Sequence, residues 1–221
     1  MRSDVGYRPA VAETPYRRES GYAERYRDRR FCTGSGPRTD RRERAVLRAL
    51  LAHAAALGRL GKGAWLDVPA GAGRMAAELP GPAVAVDRDV AMLLAAGHLP
   101  QRACASAHAL PFRDRTFAGV LCHRLLQHIP TAGERIAILR ELARVGRGPV
   151  IVSFFDSASL PGLRRVVRRF LGKPRSGRST VGRSAFRAEC RQAGLQPLAM
   201  RSLCRFVSEQ TLVLCAPIAA E

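Results

Sequence analysis

Short apolar runs, separated by stretches of helical periodicity, decide what this chain can fold into. Residues 64–68 (AWLDV), 83–86 (AVAV), 103–104, 116–122 (TFAGVLC) and 149–155 (PVIVSFF) are such runs. Their hydrophobicity is nearly continuous rather than alternating, which marks strands buried on both faces of a parallel sheet. The helical stretches lie between them. Asp40 and Glu43 have the spacing of a capping box, and Ala45, Val46, Ala49, Leu50, Ala52, His53 and Leu57 then recur at helical spacing up to Gly58 or Gly61. A short helix is expected over 74–79, closed by Pro80 and Gly81, and another over 89–96, ending at Gly97. Thr131 with Glu134 is a second capping box and opens a helix to about Val145.

The chain ends differently. A helix over 182–193 runs through Gly194 into a strand over 197–203, and a last strand covers 210–215. So short a connection leaves room only for antiparallel pairing, because a parallel crossover needs a dozen or more residues. The expectation is an α/β fold: a doubly wound, mostly parallel seven-stranded sheet with an antiparallel last strand and helices on both faces. The 221 residues suffice for one such domain, placed at 40–221, behind a Tyr/Arg-rich lead-in over 1–39.

Composition excludes several classes. With 47% hydrophobic and 25% charged residues the chain is globular rather than disordered. No apolar run approaches the ~20 residues of a bilayer span. Residues 1–30 are polar and arginine-rich, unlike a secretory signal, so a cytoplasmic location is expected. Cys32, Cys104, Cys122, Cys190, Cys204 and Cys215 form no Cys-x-x-Cys pair and read as buried reduced thiols. Cys122, His123 and His128 lack a fourth spaced ligand, so no metal site is expected.

The sharpest segment is 66–75 (LDVPAGAGRM). A strand ends in an acid and turns through small residues toward a helix. Gly71 and Gly73 allow the backbone close to a ligand, and the helix would offer free N–H groups. Asp87 stands 20 residues after Asp67, at the end of the next strand, where a carboxylate can accept from both ribose hydroxyls. Gly71-x-Gly73-x-x-Ala76 also satisfies the loose dinucleotide fingerprint, which keeps NAD(H) open.

Residues 105–128 (ASAHALPFRDRTFAGVLCHRLLQH) extend the pattern. With Asp67 to Gly73, Asp87, Leu110-Pro111-Phe112, Asp114 and Phe117, the chain resembles the class I S-adenosylmethionine-dependent methyltransferases over about 62–156. The likeness is greatest to the small-molecule group that includes the quinone-biosynthesis C-methyltransferases. It departs at Pro69, which has no N–H where the family has a glycine. It departs also at Ser106, where an aspartate often meets the adenine, and at Ala118. The resemblance implies S-adenosyl-L-methionine as cofactor. It places Asp67, Ala70, Gly71 and Gly73 at the methionine end, Asp87 at the ribose, and Arg88, Met92, Ser106 and Ala107 around the adenine. His123 falls near the sulfonium. His123 and His128, both just beyond the fourth strand, are the candidate bases.

The net charge of +19 is carried almost wholly by arginine. It concentrates on the flanks; residues 160–221 hold 12 basic against 3 acidic side chains. Leu160, Leu163, Val166, Val167, Phe170 and Leu171 form one helical face, and Arg164, Arg165, Arg168, Arg169 and Lys173 the other. Such a basic amphipathic helix within 157–184 suits an anionic membrane surface, or simply packs on the sheet. The expected acceptor is a small or lipid-like, anionic molecule. An RNA methyltransferase using the arginine-rich flanks is the second reading, and a non-catalytic cofactor-binding or scaffold protein the third.

Overall fold

The computed structural model describes residues 33–160, 178–205 and 207–218. The basic amphipathic segment after Leu160 and most of the N-terminal lead-in lie outside the described residues.

Seven strands form one sheet: β1 (Trp65–Asp67), β2 (Ala83–Asp87), β3 (Gln101–Cys104), β4 (Gly119–Cys122), β5 (Val150–Phe155), β6 (Leu195–Ser202) and β7 (Gln210–Pro217). Their spatial order is β3-β2-β1-β4-β5-β7-β6. The first five pair in parallel. β7 runs antiparallel between β5 and β6, as the short connection requires. β6 is the edge strand, and its register shifts between Pro197 and Ala199. A proline is tolerated there because an edge strand need not donate on both sides. The chain winds outward from β1 in both directions, so the crevice beyond the carboxyl ends of β1 and β4 is the topological switch point where ligands bind.

Alternate strand residues feed two cores. On one face Leu66, Val86, Val120, Val152 and Phe154 pack against Ile138, Leu139 and Leu142 of α3 (Ala132–Val145) and Phe186 and Cys190 of α4 (Arg183–Gln192). Phe154 and Phe186 stack with centroids 4.0 Å apart. On the other face Trp65, Leu121, Ile151, Leu212 and Leu214 meet Leu47, Leu50, Leu51 and Ala54 of α1 (Gly36–Ala56). The remaining helix among the described residues, α2 (Val90–Ala95), is short and capped by the Asp89 side chain, which accepts from Ala91 N–H at 3.0 Å. The Thr131 cap of α3 forms as expected, its hydroxyl accepting from Glu134 N–H at 3.3 Å.

Four local expectations are corrected. Helix α1 begins at Gly36, with proline in its first turn, rather than at Asp40. Pro37 fixes a helical φ and needs no N–H partner, so it starts the helix a turn early. Asp40 is therefore inside the helix, bonded to Arg44 at 2.8 Å, and the Asp40–Glu43 pair is no capping box. The burying face of α1 is Glu43, Leu47, Leu50, Leu51 and Ala54; Ala45 and Ala52 are exposed. In an alanine-rich helix small residues fall all round, and the leucines choose the face. Residues 71–75 form turns, followed only by a 3-10 turn at Ala76–Glu78, so no α-helix follows the glycine segment. The left-handed φ of Gly71 and Gly73 (55° and 73°) and Pro80 leave too short a span for one. Finally, Cys122, Cys190 and Cys215 are buried free thiols, but Cys104 is exposed and Cys204 half-buried, and Cys32 lies outside the described residues.

Among the described residues no helix is long and apolar enough to cross a membrane.

Candidate active site

β1 delivers Asp67 to the switch point. Beyond it Val68 N–H still donates to Leu121 O at 2.9 Å, and Ala70 N–H donates to Val86 O at 2.9 Å, so the loop is stitched to both neighbouring strands. The Val68–Pro69 peptide is cis. Asp87, at the end of β2, closes the loop: one carboxylate oxygen accepts from Gly71 N–H at 2.9 Å, the other from Asp89 N–H at 2.9 Å. Burial pushes the Asp87 carboxyl up, and these N–H bonds oppose the shift.

The glycines have separate reasons. Both sit in the left-handed region. A Cβ on Gly73 would lie 2.9 Å from His98 Cε1 and from Leu99 Cδ1, whereas a Cβ on Gly71 would meet nothing within 4 Å. Gly71 thus borders open space beside the two carboxylates.

Asp67 is 1% exposed, and its Oδ2 has no hydrogen-bond partner. Burial pushes its carboxyl up to about 7, with Arg74 opposing and Asp87 adding to the rise. A buried, unpartnered carboxylate oxygen is costly alone and favourable once it meets a cationic donor. Asp67 therefore fits a ligand ammonium, and Asp87 fits a pair of hydroxyls.

Ser106 and Ala107 follow β3 at the same edge, since Ala105 N–H donates to Asp87 O at 3.2 Å. The Ser106 hydroxyl accepts from His108 N–H at 3.3 Å, within its own turn, and Ala107 packs partly into the core. Arg88 is exposed. Met92 is half-buried, while its neighbour Leu93 is the residue that packs with Ala70 and Ala85.

His123 stands one residue past β4 and is 6% exposed. Its Nε2 lies 3.3 Å from Glu43 Oε2 and 3.5 Å from Gln210 Nε2, and its Nδ1 is buried without a partner. Burial lowers its pKa, Glu43 opposes that, and Arg74 and Arg124 reinforce it, so the ring is neutral at pH 7. His128 lies apart from this group, exposed on the 3-10 turn Leu126–His128.

Glu43 was not legible as a site residue by motif. It is fully buried on α1, accepting from Arg74 Nη2 at 2.5 Å and from Arg124 Nη1 at 2.7 Å. Burial would raise its pKa, but the His123 hydrogen bond and the Arg124 and Arg74 charges win and hold it at about 2. One signal could have found it. Glu43 occupies the helical stripe of Leu47, Leu50, Leu51 and Ala54, where an acid needs partners to be buried at all.

A seven-stranded sheet with its last strands antiparallel, a glycine loop at the switch point and a carboxylate after each of the first two strands define the class I methyltransferase architecture. Residues 66–151 match the family model described as a methyltransferase domain, so over that span the chain carries a methyltransferase domain, whose cofactor is S-adenosylmethionine. The magnesium protoporphyrin IX methyltransferase of Synechocystis PCC 6803, solved with bound S-adenosylhomocysteine, is 19% identical, with 89% of this chain and 95% of that one covered at a TM-score of 0.68. An S-adenosylmethionine-dependent methyltransferase from Clostridium acetobutylicum is 13% identical, with 90% and 98% covered at 0.66. One from Thermotoga maritima is 16% identical, with 88% and 95% covered at 0.61. At these identities the likeness is one of fold. No curated protein matches the sequence.

Proposed function

We propose that this chain methylates a small-molecule or lipid-like acceptor of anionic character. The observation that carries the reading is the cover over the crevice. His123, at the edge where transfer takes place in this fold, is 6% exposed and linked to Glu43 of α1. So enclosed a site suits a small acceptor better than a base in RNA or a side chain of a folded protein. Charge supports the anionic character through the net +19 of the chain; Arg74 and Arg124 at the crevice are already paired with Glu43 and Asp40. At the same edge, beyond β5, Arg183, Arg205, Ser159, Ser202, Ser208 and Asp156 line a cavity of about 210 Å³. The Synechocystis neighbour, named for a porphyrin, also suits a small acceptor.

Asp67, Ala70, Gly71 and Gly73 would hold the methionine end of the cofactor and Asp87 the ribose, with Arg88, Met92, Ser106 and Ala107 beside the adenine. When bound, the cofactor supplies a methyl group already activated by its sulfonium. The protein's part is then mostly proximity and orientation. His123 would take a proton from an acceptor that has one to lose; His128 lies outside the buried group.

The test is to incubate the full chain with methyl-tritiated S-adenosylmethionine and fractionated cell extract. Label is expected in the low-molecular-weight or organic-soluble fraction. Label retained in RNA or protein would overturn the small-acceptor reading.

Asp67 makes a second, independent prediction. In the free protein its carboxyl titrates at about 7, so at pH 6 it is mostly protonated. A cationic ammonium beside it favours the ionised form, so binding expels close to one proton at pH 6. Affinity then rises about tenfold per pH unit below 7 and levels above it. Calorimetry in buffers of different ionisation enthalpy counts the proton. Asp67→Asn should bind weakly, with no proton released.

A further inference from the structure

We propose that Glu43 is the positioning residue that fixes His123 in the tautomer with a proton on Nε2 and a bare lone pair on Nδ1. The inference rests on the reading of His123 as the proton acceptor, and adds a residue from outside the glycine-loop motifs.

The argument is one of donors and acceptors. An ionised carboxylate can only accept. Glu43 is ionised because two guanidinium groups contact it inside the protein, Arg74 at 2.5 Å on Oε2 and Arg124 at 2.7 Å on Oε1. His123 Nε2, 3.3 Å from Oε2, must then be the donor. A neutral imidazole carries one N–H, so its other nitrogen, Nδ1, holds the lone pair. Nδ1 is also the ring nitrogen left without a partner, although it is buried. A buried acceptor with no donor is expensive and rare in a purely structural histidine. Among the described residues no group satisfies it.

The charged groups around the ring agree with this state. Arg74 approaches from the glycine loop and Arg124 from the residue next to His123, and both oppose a second positive charge on the ring. Glu43 approaches from α1 and favours that charge. Gln210 Nε2, on β7, lies 3.5 Å from the same Nε2 and can only donate, so a protonated Nε2 requires the Gln210 amide to turn its oxygen to the ring; the amide is neutral and leaves the charge balance unchanged. The ring therefore rests neutral, with its charged form accessible for as long as Glu43 faces it. When an acceptor O–H or N–H meets Nδ1, its proton moves to that lone pair. The bonding electrons stay on the acceptor atom as its nucleophilic pair. The imidazolium so formed keeps its Nε2–H on the Glu43 carboxylate, and the proton passes to solvent after the product leaves.

Glu43 also joins the two loops that flank the crevice, because Arg74 belongs to the segment after β1 and Arg124 to the segment after β4. A purely mechanical tie would need the ion pairs alone. The tautomer claim is separate, and it is the one to be tested.

The experiment is long-range proton–nitrogen NMR on the full chain with labelled histidine, with and without S-adenosylhomocysteine. His123→Asn identifies the signal. The expected wild-type result is a protonated Nε2 and a bare Nδ1 at pH 7. A proton on Nδ1, or a charged ring at pH 7, overturns the proposal without needing any variant to fold. In Glu43→Gln, the amide can offer either oxygen or nitrogen. The expected result there is a mixture of tautomers, with the ring's proton affinity lowered about tenfold or more. An unchanged tautomer and titration in folded Glu43→Gln would leave Glu43 as a mechanical tie only and sink the proposal. The tritium-transfer assay answers the acceptor question separately, so failure of one reading is distinguishable from failure of the other.

Discussion

Asp87→Ala should weaken binding of S-adenosylhomocysteine on the order of 100-fold, because hydrogen bonds to a charged group are each worth about 1.5–3 kcal/mol. Two losses combine. The carboxylate no longer meets the ligand's hydroxyls. The loop also loses its tie to β2, since Gly71 N–H and Asp89 N–H both donate to this side chain at 2.9 Å. Gly71 borders the open space of the crevice, so freeing its N–H loosens the surface the ligand must match. Asp87→Asn keeps one oxygen acceptor and should cost about tenfold, in line with loss of one bond from the set. Isothermal calorimetry measures both, with thermal melting as the folding control. Equal affinities for wild type and Asp87→Ala would remove Asp87 from the site and with it the strand-end logic of the assignment.

The positions of Asp67, Asp87 and the two glycines were legible because they follow from strand ends and backbone angles, which are local. An acid closing an apolar run and a glycine in a tight turn each leave a mark within a few residues. The same locality explains the seven strands and the antiparallel last pair. The misses share the opposite property. Glu43 lies 80 residues from His123 and 31 from Arg74, and no periodicity says which buried charges will meet. The short helix expected after Gly73 failed for another reason: the left-handed glycines and Pro80 outweighed the helix-forming run between them. The face of α1 was misread because alanines were weighed like leucines. Burial follows area, and Leu47, Leu50 and Leu51 carry far more of it than Ala45 or Ala52.

A charged residue inside an apolar helical stripe is thus readable as buried before its partner is known. Arg135 is the second case. It shares the α3 stripe with Ile138, Leu139 and Leu142, and Glu189 shares the α4 stripe with Phe186 and Cys190. Arg135 Nε and Nη2 meet the two Glu189 oxygens at 2.9 and 2.5 Å, and Nη1 donates to Ile129 O and Pro130 O at 3.1 Å. Both residues are about 5–6% exposed, so neither charge has water to fall back on. Arg135→Met should therefore cost about 3–5 kcal/mol, because it strands Glu189 as an uncompensated buried carboxylate. The double variant Arg135→Met, Glu189→Leu should recover most of that loss, since a desolvated ion pair and a well-packed apolar pair of similar volume differ little. Denaturant unfolding of the single and double variants separates the two terms. If the double variant is as unstable as the single one, the cost lies in the two carbonyl bonds to Ile129 and Pro130, and the pair itself contributes little. If it recovers, α3 and α4 are joined by a contact whose value is orientation: it fixes how the helices covering one face of the sheet sit on β4 and β5, the strands whose carboxyl ends carry His123 and Asp156.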